Sequence, residues 1–229
     1  MLSDIMNSGL VWRPTKEGDH SIPALDTGYA ALNGHLVWGG WPLGSLCEVI
    51  YPVEGSGEIS LLQPIMSAVS HSACVVCLGP PHDFYLPGLS SDLNTSNLLV
   101  LKPEPKDGLW AAEQALRSGC CKLLLMWPSK NLSFTQYRRL QILCSDNQAI
   151  GFIMMRSEPP ISTPSRLRLS LQRLEDQEIL VSILKHQGGY GSDSFKLALS
   201  CAPFIRYPVS ENQEPHLNAK QGNVWHMEQ

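Results

Sequence analysis

Pro52-Val53-Glu54-Gly55-Ser56-Gly57-Glu58-Ile59 stands between an apolar run, Leu46 to Tyr51, and a segment of helical periodicity, Gly57 to Ser70. Strand, glycine-bearing turn and helix in that order are the setting of a phosphate-binding loop, G-x-x-x-x-G-K-[ST]. In such a loop the glycines let backbone N–H groups curl around phosphates, the lysine neutralises them and the hydroxyl holds magnesium. Aligned on Gly57, the chain keeps the place and changes the chemistry. Pro52 stands where the first glycine belongs, Glu58 replaces the lysine and Ile59 replaces the hydroxyl. Lysine to glutamate reverses a charge beside a polyphosphate. At an effective dielectric near ~20, each unit charge pair about 4 Å apart is worth around 4 kcal/mol. Glu54 adds further repulsion, whereas Glu58 suits a helix N-terminus, where a carboxylate complements the dipole. The loop formed by Pro52, Gly55, Ser56, Gly57, Glu58 and Ile59 is therefore expected to be structural, with no cofactor bound. A glycine turn of no phosphate-binding ancestry fits these eight residues equally well, and the rest of the chain decides between the two.

Outward from the loop, strands and helices alternate. Strands are expected at Ala73 to Leu78, Leu98 to Leu101, Lys122 to Trp127 and Ile150 to Met155. The first helix turns Ile59, Leu62, Met66 and Val69 to one side and carries Pro64, which removes a backbone hydrogen bond. Asp107 is placed to cap a helix from Gly108 to Ser118 that stops at Gly119, and Ser133-Phe134-Thr135-Gln136 is a capping box opening a helix to about Ser145. Upstream lie an apolar lead-in, Ile22 to Tyr29, a helix from Thr27 to Asn33 and a glycine-rich loop, Trp38 to Gly44. Downstream, Arg166 to Leu171 and Ile179 to Lys185 alternate polar with apolar residues, an antiparallel hairpin turning at Glu175-Asp176-Gln177. Phe195 to Leu199 adds a short strand. The fold class is α/β: a mostly parallel sheet flanked by helices, with a C-terminal antiparallel hairpin. The chain divides into an irregular segment over 1–21, a core over 22–160 with the degenerate loop, an antiparallel extension of the same domain over 161–207 and a disordered tail over 208–229.

Composition narrows the function. The 229 residues are 43% hydrophobic and 17% charged, with a formal net charge of −4, so no global positive field gathers phosphates. No apolar run approaches the roughly 18 residues of a membrane helix, and a cytoplasmic location is expected. Of seven cysteines, Cys47, Cys74, Cys77, Cys120, Cys121 and Cys144 are expected to be small buried hydrophobes in a reducing compartment. Cys74-Val75-Val76-Cys77 has a redox or zinc spacing, yet strand alternation sends its two thiols to opposite faces and no second ligand pair follows, so no metal is expected. His35, His71 and His82 lack companions at ligand spacing. No Ser-His-Asp or Cys-His arrangement can be assembled, and no catalytic residue is assigned.

Taken in order, Ile22 to Gly28, Gly39 to Gly44, Glu48-Val49-Ile50 and the loop resemble the start of the RecA core, and Asn97 to Val100, Ala115 to Gly119 and Lys122 to Trp127 its next elements. Against that family, Trp127 falls at the Walker B aspartate, Pro80 or Pro81 near the catalytic glutamate, and Met155 at the nucleotide-sensing glutamine. The chain also resembles the ImuA family of RecA-like accessory proteins of bacterial translesion synthesis. Val11-Trp12-Arg13, the Gly-Gly-Trp-Pro loop, Gly55-Ser56-Gly57-Glu58, Gly151-Phe152-Ile153, Leu167-Arg168-Leu169 and Ile183-Leu184-Lys185 carry that likeness. It implies a damage-inducible, non-enzymatic protein of the SOS response that acts by contact with ImuB, RecA and an error-prone DnaE-type polymerase. Gly151 to Met154 and Ala115-Leu116-Arg117 resemble SulA as well, the division inhibitor that binds FtsZ. The Val-Trp-Arg segment and the C-terminal hairpin favour ImuA.

Two sets of residues are candidates for partner contact. Trp38 and Trp41, with Tyr29, form either an exposed aromatic anchor or a cover for the sheet end that a missing nucleotide leaves open. Arg166, Arg168 and Lys185, with Arg173 and His186, form either a basic patch or the solvated face of the hairpin. Trp110 and Trp127 are expected in the core.

Overall fold

The computed structural model describes residues 22–85, 88–89, 91–159, 161–175, 177–186 and 194–199. The segment 1–21, the tail 208–229, Asp176 in the hairpin turn and the glycine turn at 188–191 lie outside them. In chain order the elements are β1 (Ala24–Leu25), α1 (Ala30–His35), β2 (Trp41–Pro42), β3 (Ser45–Ile50), α2 (Glu58–Ser70) and β4 (Cys74–Leu78). A 3-10 turn (Thr95–Asn97) leads into β5 (Leu98–Leu101), α3 (Gly108–Arg117), β6 (Cys121–Met126), α4 (Phe134–Asp146) and β7 (Ile150–Met155). Then follow β8 (Leu167–Arg173), β9 (Glu178–His186) and β10 (Phe195–Ala198).

Eight strands form one sheet in the order β10-β9-β8-β3-β7-β6-β4-β5. From β8 to β5 every pairing is parallel, while β8–β9 and β9–β10 are antiparallel. The expected α/β architecture with its C-terminal hairpin is the observed one. The composition of each strand follows from its place. β3 and β7, inside the sheet with both faces covered, are buried at every position. β8 alternates buried and half-buried residues before its last two become exposed.

Two cores lie on opposite faces. Cys47, Val49 and Tyr51 turn to the face that α2 covers with Leu61, Leu62, Ile65 and Met66. Leu46 and Ile50 turn to the other, where α3 supplies Ala112 and Leu116 and α4 supplies Tyr137, Leu140 and Cys144. The Ser133 capping box closes with both of its hydrogen bonds.

Several expectations are corrected. Asp107 makes no side-chain capping bond, because its backbone (φ −96°, ψ −8°) is already helical. The first helix of the chain starts at Ala30, since the Thr27 hydroxyl accepts from the Tyr29 N–H and Gly28 (φ +83°) interrupts it. Trp110 is 59% exposed. It lies two positions before buried Ala112, roughly 200° round the helix from the packed face. Cys120 is exposed and Cys74 half-buried, at the sheet end where the strands begin. Among the described residues no helix is long and apolar enough to cross a membrane.

Candidate functional site

The loop leaves β3 at Tyr51, whose N–H donates to the Met155 carbonyl at 2.8 Å, extending the β3–β7 pairing by one residue. Pro52, Val53 and Gly55 are exposed, Ser56, Gly57 and Glu58 are buried, and Ile59 is half-buried. Gly55 (φ +76°) and Gly57 (φ +91°) both take the left-handed conformation that glycine adopts without strain. The Ser56 hydroxyl donates to the Val53 carbonyl at 2.5 Å, so it is spent inside the turn.

Glu58 opens α2. It is 9% exposed, and its Oε1 accepts the Gly55 N–H at 3.2 Å. The carboxylate thus bonds a loop amide of the kind that would otherwise face an anion, at the positive end of the helix. Burial, and next the Glu58 charge, push the neighbouring Tyr51 phenol above its ordinary range. The cations nearby are engaged. Arg156 pairs with Glu54, to which His82 also bonds at 2.8 Å, and Arg173 donates to the Gly55 carbonyl at 2.7 Å.

The hairpin closes over this turn. A Cβ placed on Gly57 would lie 2.5 Å from Leu199 Cδ1 and 2.9 Å from Ile179 Cγ2. These side chains, from the end of the last strand and from β9, pack where the loop would otherwise face open space. Gly55 has no such neighbour.

Trp127, just after β6, extends that strand's pairing through its N–H to the Leu78 carbonyl at 2.9 Å. It is half-buried and stacks edge-on with Phe84 (centroids 6.3 Å apart). Met155 receives the Tyr137 hydroxyl on its sulfur at 3.3 Å. Pro80 is buried and Pro81 exposed. None of these positions carries a carboxylate or amide.

A cavity of about 750 Å³ opens at the carboxyl ends of β4, β6 and β7, beside the N-termini of α3 and α4. Tyr51, Trp127, Lys106, Lys130 and Arg156 are in its wall, but no residue from 52 to 59 is. The usual ligand crevice of an open α/β sheet is therefore present without the loop amides turned towards it.

The interaction candidates fall differently from expectation. Trp38 (8% exposed) and Trp41 (0%) are buried, and Trp41 packs edge-on against Phe152 in the middle of the sheet, 5.0 Å between centroids. Neither is an exposed anchor, and Trp41 lies against the middle of β7 rather than over the sheet end. Tyr29 is buried beside them and donates to the Ser60 carbonyl at 2.9 Å. Arg168 and Lys185 are not a solvated face. They meet in register on β8 and β9, next to Glu48 on β3. Arg168 Nε donates to Glu48 Oε2 at 2.7 Å, Ser165 donates to the same oxygen at 2.6 Å, and Lys185 donates to the Thr163 carbonyl at 2.5 Å. Glu48 is fully buried, so this network ties Thr163 and Ser165, ahead of β8, to the sheet. Arg166 is half-buried, and its N–H donates to the Leu46 carbonyl. Glu48 and the cover formed by Ile179 and Leu199 gave no signal in the sequence, because each depends on strands far apart in the chain.

Fold and loop together define the class: a mostly parallel α/β domain whose strand–loop–helix turn after β3 is packed with the chain's own side chains. The comparisons agree in kind. Over 113 residues, 47% of the chain, it is 33% identical to protein RecA of Acholeplasma laidlawii, and 32% identical to that of its strain PG-8A. The match covers 33% of each RecA chain, so it spans about a third of the curated relatives' length. No family model matches the chain.

Proposed function

We propose that this chain is a non-catalytic, RecA-like accessory protein of SOS-induced translesion DNA synthesis, working by contact with ImuB, RecA and an error-prone DnaE-type polymerase in the cytoplasm. The observation that carries the reading is the buried Glu58 carboxylate on the Gly55 N–H, next to Gly57, which Ile179 and Leu199 cover. A polyphosphate entering there meets a fixed negative charge and a filled space in place of a lysine and free amides. With the motor chemistry gone and the RecA-like scaffold kept, what remains useful is surface. RecA-type cores pack one against the next, and a silent copy docks by the same shape while ImuA-like segments direct it to the mutagenic polymerase.

Affinity capture of the tagged full chain from its own cells after DNA damage, with mass spectrometry of bound proteins, tests this. Recovery of ImuB, RecA or the error-prone polymerase is expected. Recovery of FtsZ in their place would make the chain a division inhibitor like SulA and overturn the translesion role.

A further inference from the structure

We infer that Cys74 and Cys120 form a peroxide-responsive dithiol site that closes to an intramolecular disulfide, joining the turn after α2 to the turn after α3. Cys74 is the first residue of β4, and Cys120 immediately precedes β6. The two strands are parallel neighbours, with Cys74 opposite Cys121. The Cys74 N–H donates to the Cys120 carbonyl at 3.0 Å, which fixes the two backbones side by side. Each thiol influences the ionisation of the other. With strands about 4.8 Å apart and a one-residue offset of about 3.3 Å along them, the two Cα atoms stand roughly 6 Å apart, inside the range that a disulfide spans.

Access and chemistry are asymmetric in the way a reactive pair requires. Cys120 is exposed and Cys74 half-buried, whereas Cys47, Cys77, Cys121 and Cys144 are buried. Gly119 (φ +75°) turns the chain so that Cys120 sits outside the sheet, and the Ser118 hydroxyl, 2.6 Å from the Ala115 carbonyl, stands 2.9 Å from the Cys120 sulfur. Bonding to Ser118 holds the Cys120 thiol below its ordinary range, while burial and then the Cys120 charge raise that of Cys74. Cys120 is the attacking sulfur and Cys74 the resolving one.

With hydrogen peroxide as oxidant, the Cys120 thiolate attacks one peroxide oxygen. The S–O bond forms, the O–O bond breaks and hydroxide leaves, taking up the proton released by the thiol to become water. The Cys74 thiolate then attacks the Cys120 sulfenic sulfur. The S–S bond forms, the S–O bond breaks and a second water departs with the Cys74 proton. Two thiols are oxidised by two electrons and one peroxide is reduced to two waters. The bond joins turns whose helices pack on opposite faces of the sheet.

The test treats the reduced full chain with a small excess of hydrogen peroxide, blocks free thiols and maps peptides without reduction. The expected product is a Cys74–Cys120 linked peptide, with an intact mass lower by two hydrogen atoms and reversible by a dithiol reductant. Cys120→Ser abolishes the link. Cys74→Ser removes the resolving thiol, so sulfenic acid trapped at Cys120 by a cyclic dione rises several-fold over the unmodified chain. Absence of the linked peptide, a Cys120 bond to Cys201 or to another copy, or equal trapping in Cys74→Ser and the unmodified chain overturns the inference.

Discussion

Changing Gly57 to Ala probes the packing over the loop directly. At φ +91° an alanine is strained by the left-handed backbone, a cost of roughly 1–2 kcal/mol. Its methyl would also lie 2.5 Å from Leu199 Cδ1 and 2.9 Å from Ile179 Cγ2, inside any real carbon–carbon contact. Forcing such side chains aside costs typically about 1–3 kcal/mol. The sum, about 2–5 kcal/mol, is a large part of the roughly 5–15 kcal/mol that holds a domain folded. At about 2–4 °C per kcal/mol for a chain of this size, Tm falls by roughly 4–20 °C. Gly55→Ala is the control, because its φ is +76° and nothing lies within 4 Å of the added methyl. It loses only the backbone part, about 1–2 kcal/mol. Calorimetric or circular-dichroism melting of both variants separates backbone strain from packing. Adding Leu199→Ala to Gly57→Ala should give a double variant whose loss is smaller than the sum of the two single losses. Equal losses for Gly55→Ala and Gly57→Ala, or strict additivity with Leu199→Ala, would refute the lid.

Three further outcomes are expected. Arg168→Ala strands the fully buried Glu48 carboxylate and costs about 3–5 kcal/mol in urea unfolding, whereas the double variant Arg168→Met with Glu48→Gln recovers most of it; a loss under about 1 kcal/mol contradicts the buried pairing. Stability falls above pH 9. Burial raises the thiols of Cys47, Cys77, Cys121 and Cys144, that of Cys121 to about 12, so the native state keeps protons that the unfolded chain gives up from 9.0. The contribution is whole below pH 9 and drains as pH climbs through 9 towards 12, on the order of 1 kcal/mol per thiol in the first unit, and a flat Tm from pH 8.5 to 10 would contradict it. Glu58→Lys puts a cation at the positive end of α2 and removes the Gly55 bond, costing about 1–2 kcal/mol. On the proposed reading it creates no phosphate release from ATP, since Ile59 offers no hydroxyl and Trp127 no carboxylate.

Where burial is local and continuous, the sequence announced it. Leu123-Leu124-Leu125 has no polar alternation because both faces of β6 are covered, and Arg168-Leu169-Ser170-Leu171 alternates because one side of β8 carries polar groups. Glu58 was legible because a motif fixes its distance from a glycine. The burial of Trp41 was not, since a tryptophan beside glycines suits a surface loop as well as a core, and only the long-range contact with Phe152 decides it. Arg168 and Lys185 misled for a related reason. Alternation places them on one face, but the buried acid they serve lies 120 residues from Arg168, on another strand. The lid over Gly57 depends on Ile179 and Leu199, which no local pattern connects to the loop.

The most direct measurement is the melting temperature of the full chain with and without saturating Mg·ATP. Binding to the folded state at a hundred times Kd must stabilise it by about 2.7 kcal/mol, several degrees for a chain of this length. With Glu58 on the Gly55 N–H and Leu199 over Gly57, no shift is expected from ATP, ADP or their magnesium complexes. A saturable, magnesium-dependent rise in Tm, lost on changing Ser56 or Gly57, would mean that the loop still holds phosphate and that the packed site is not closed.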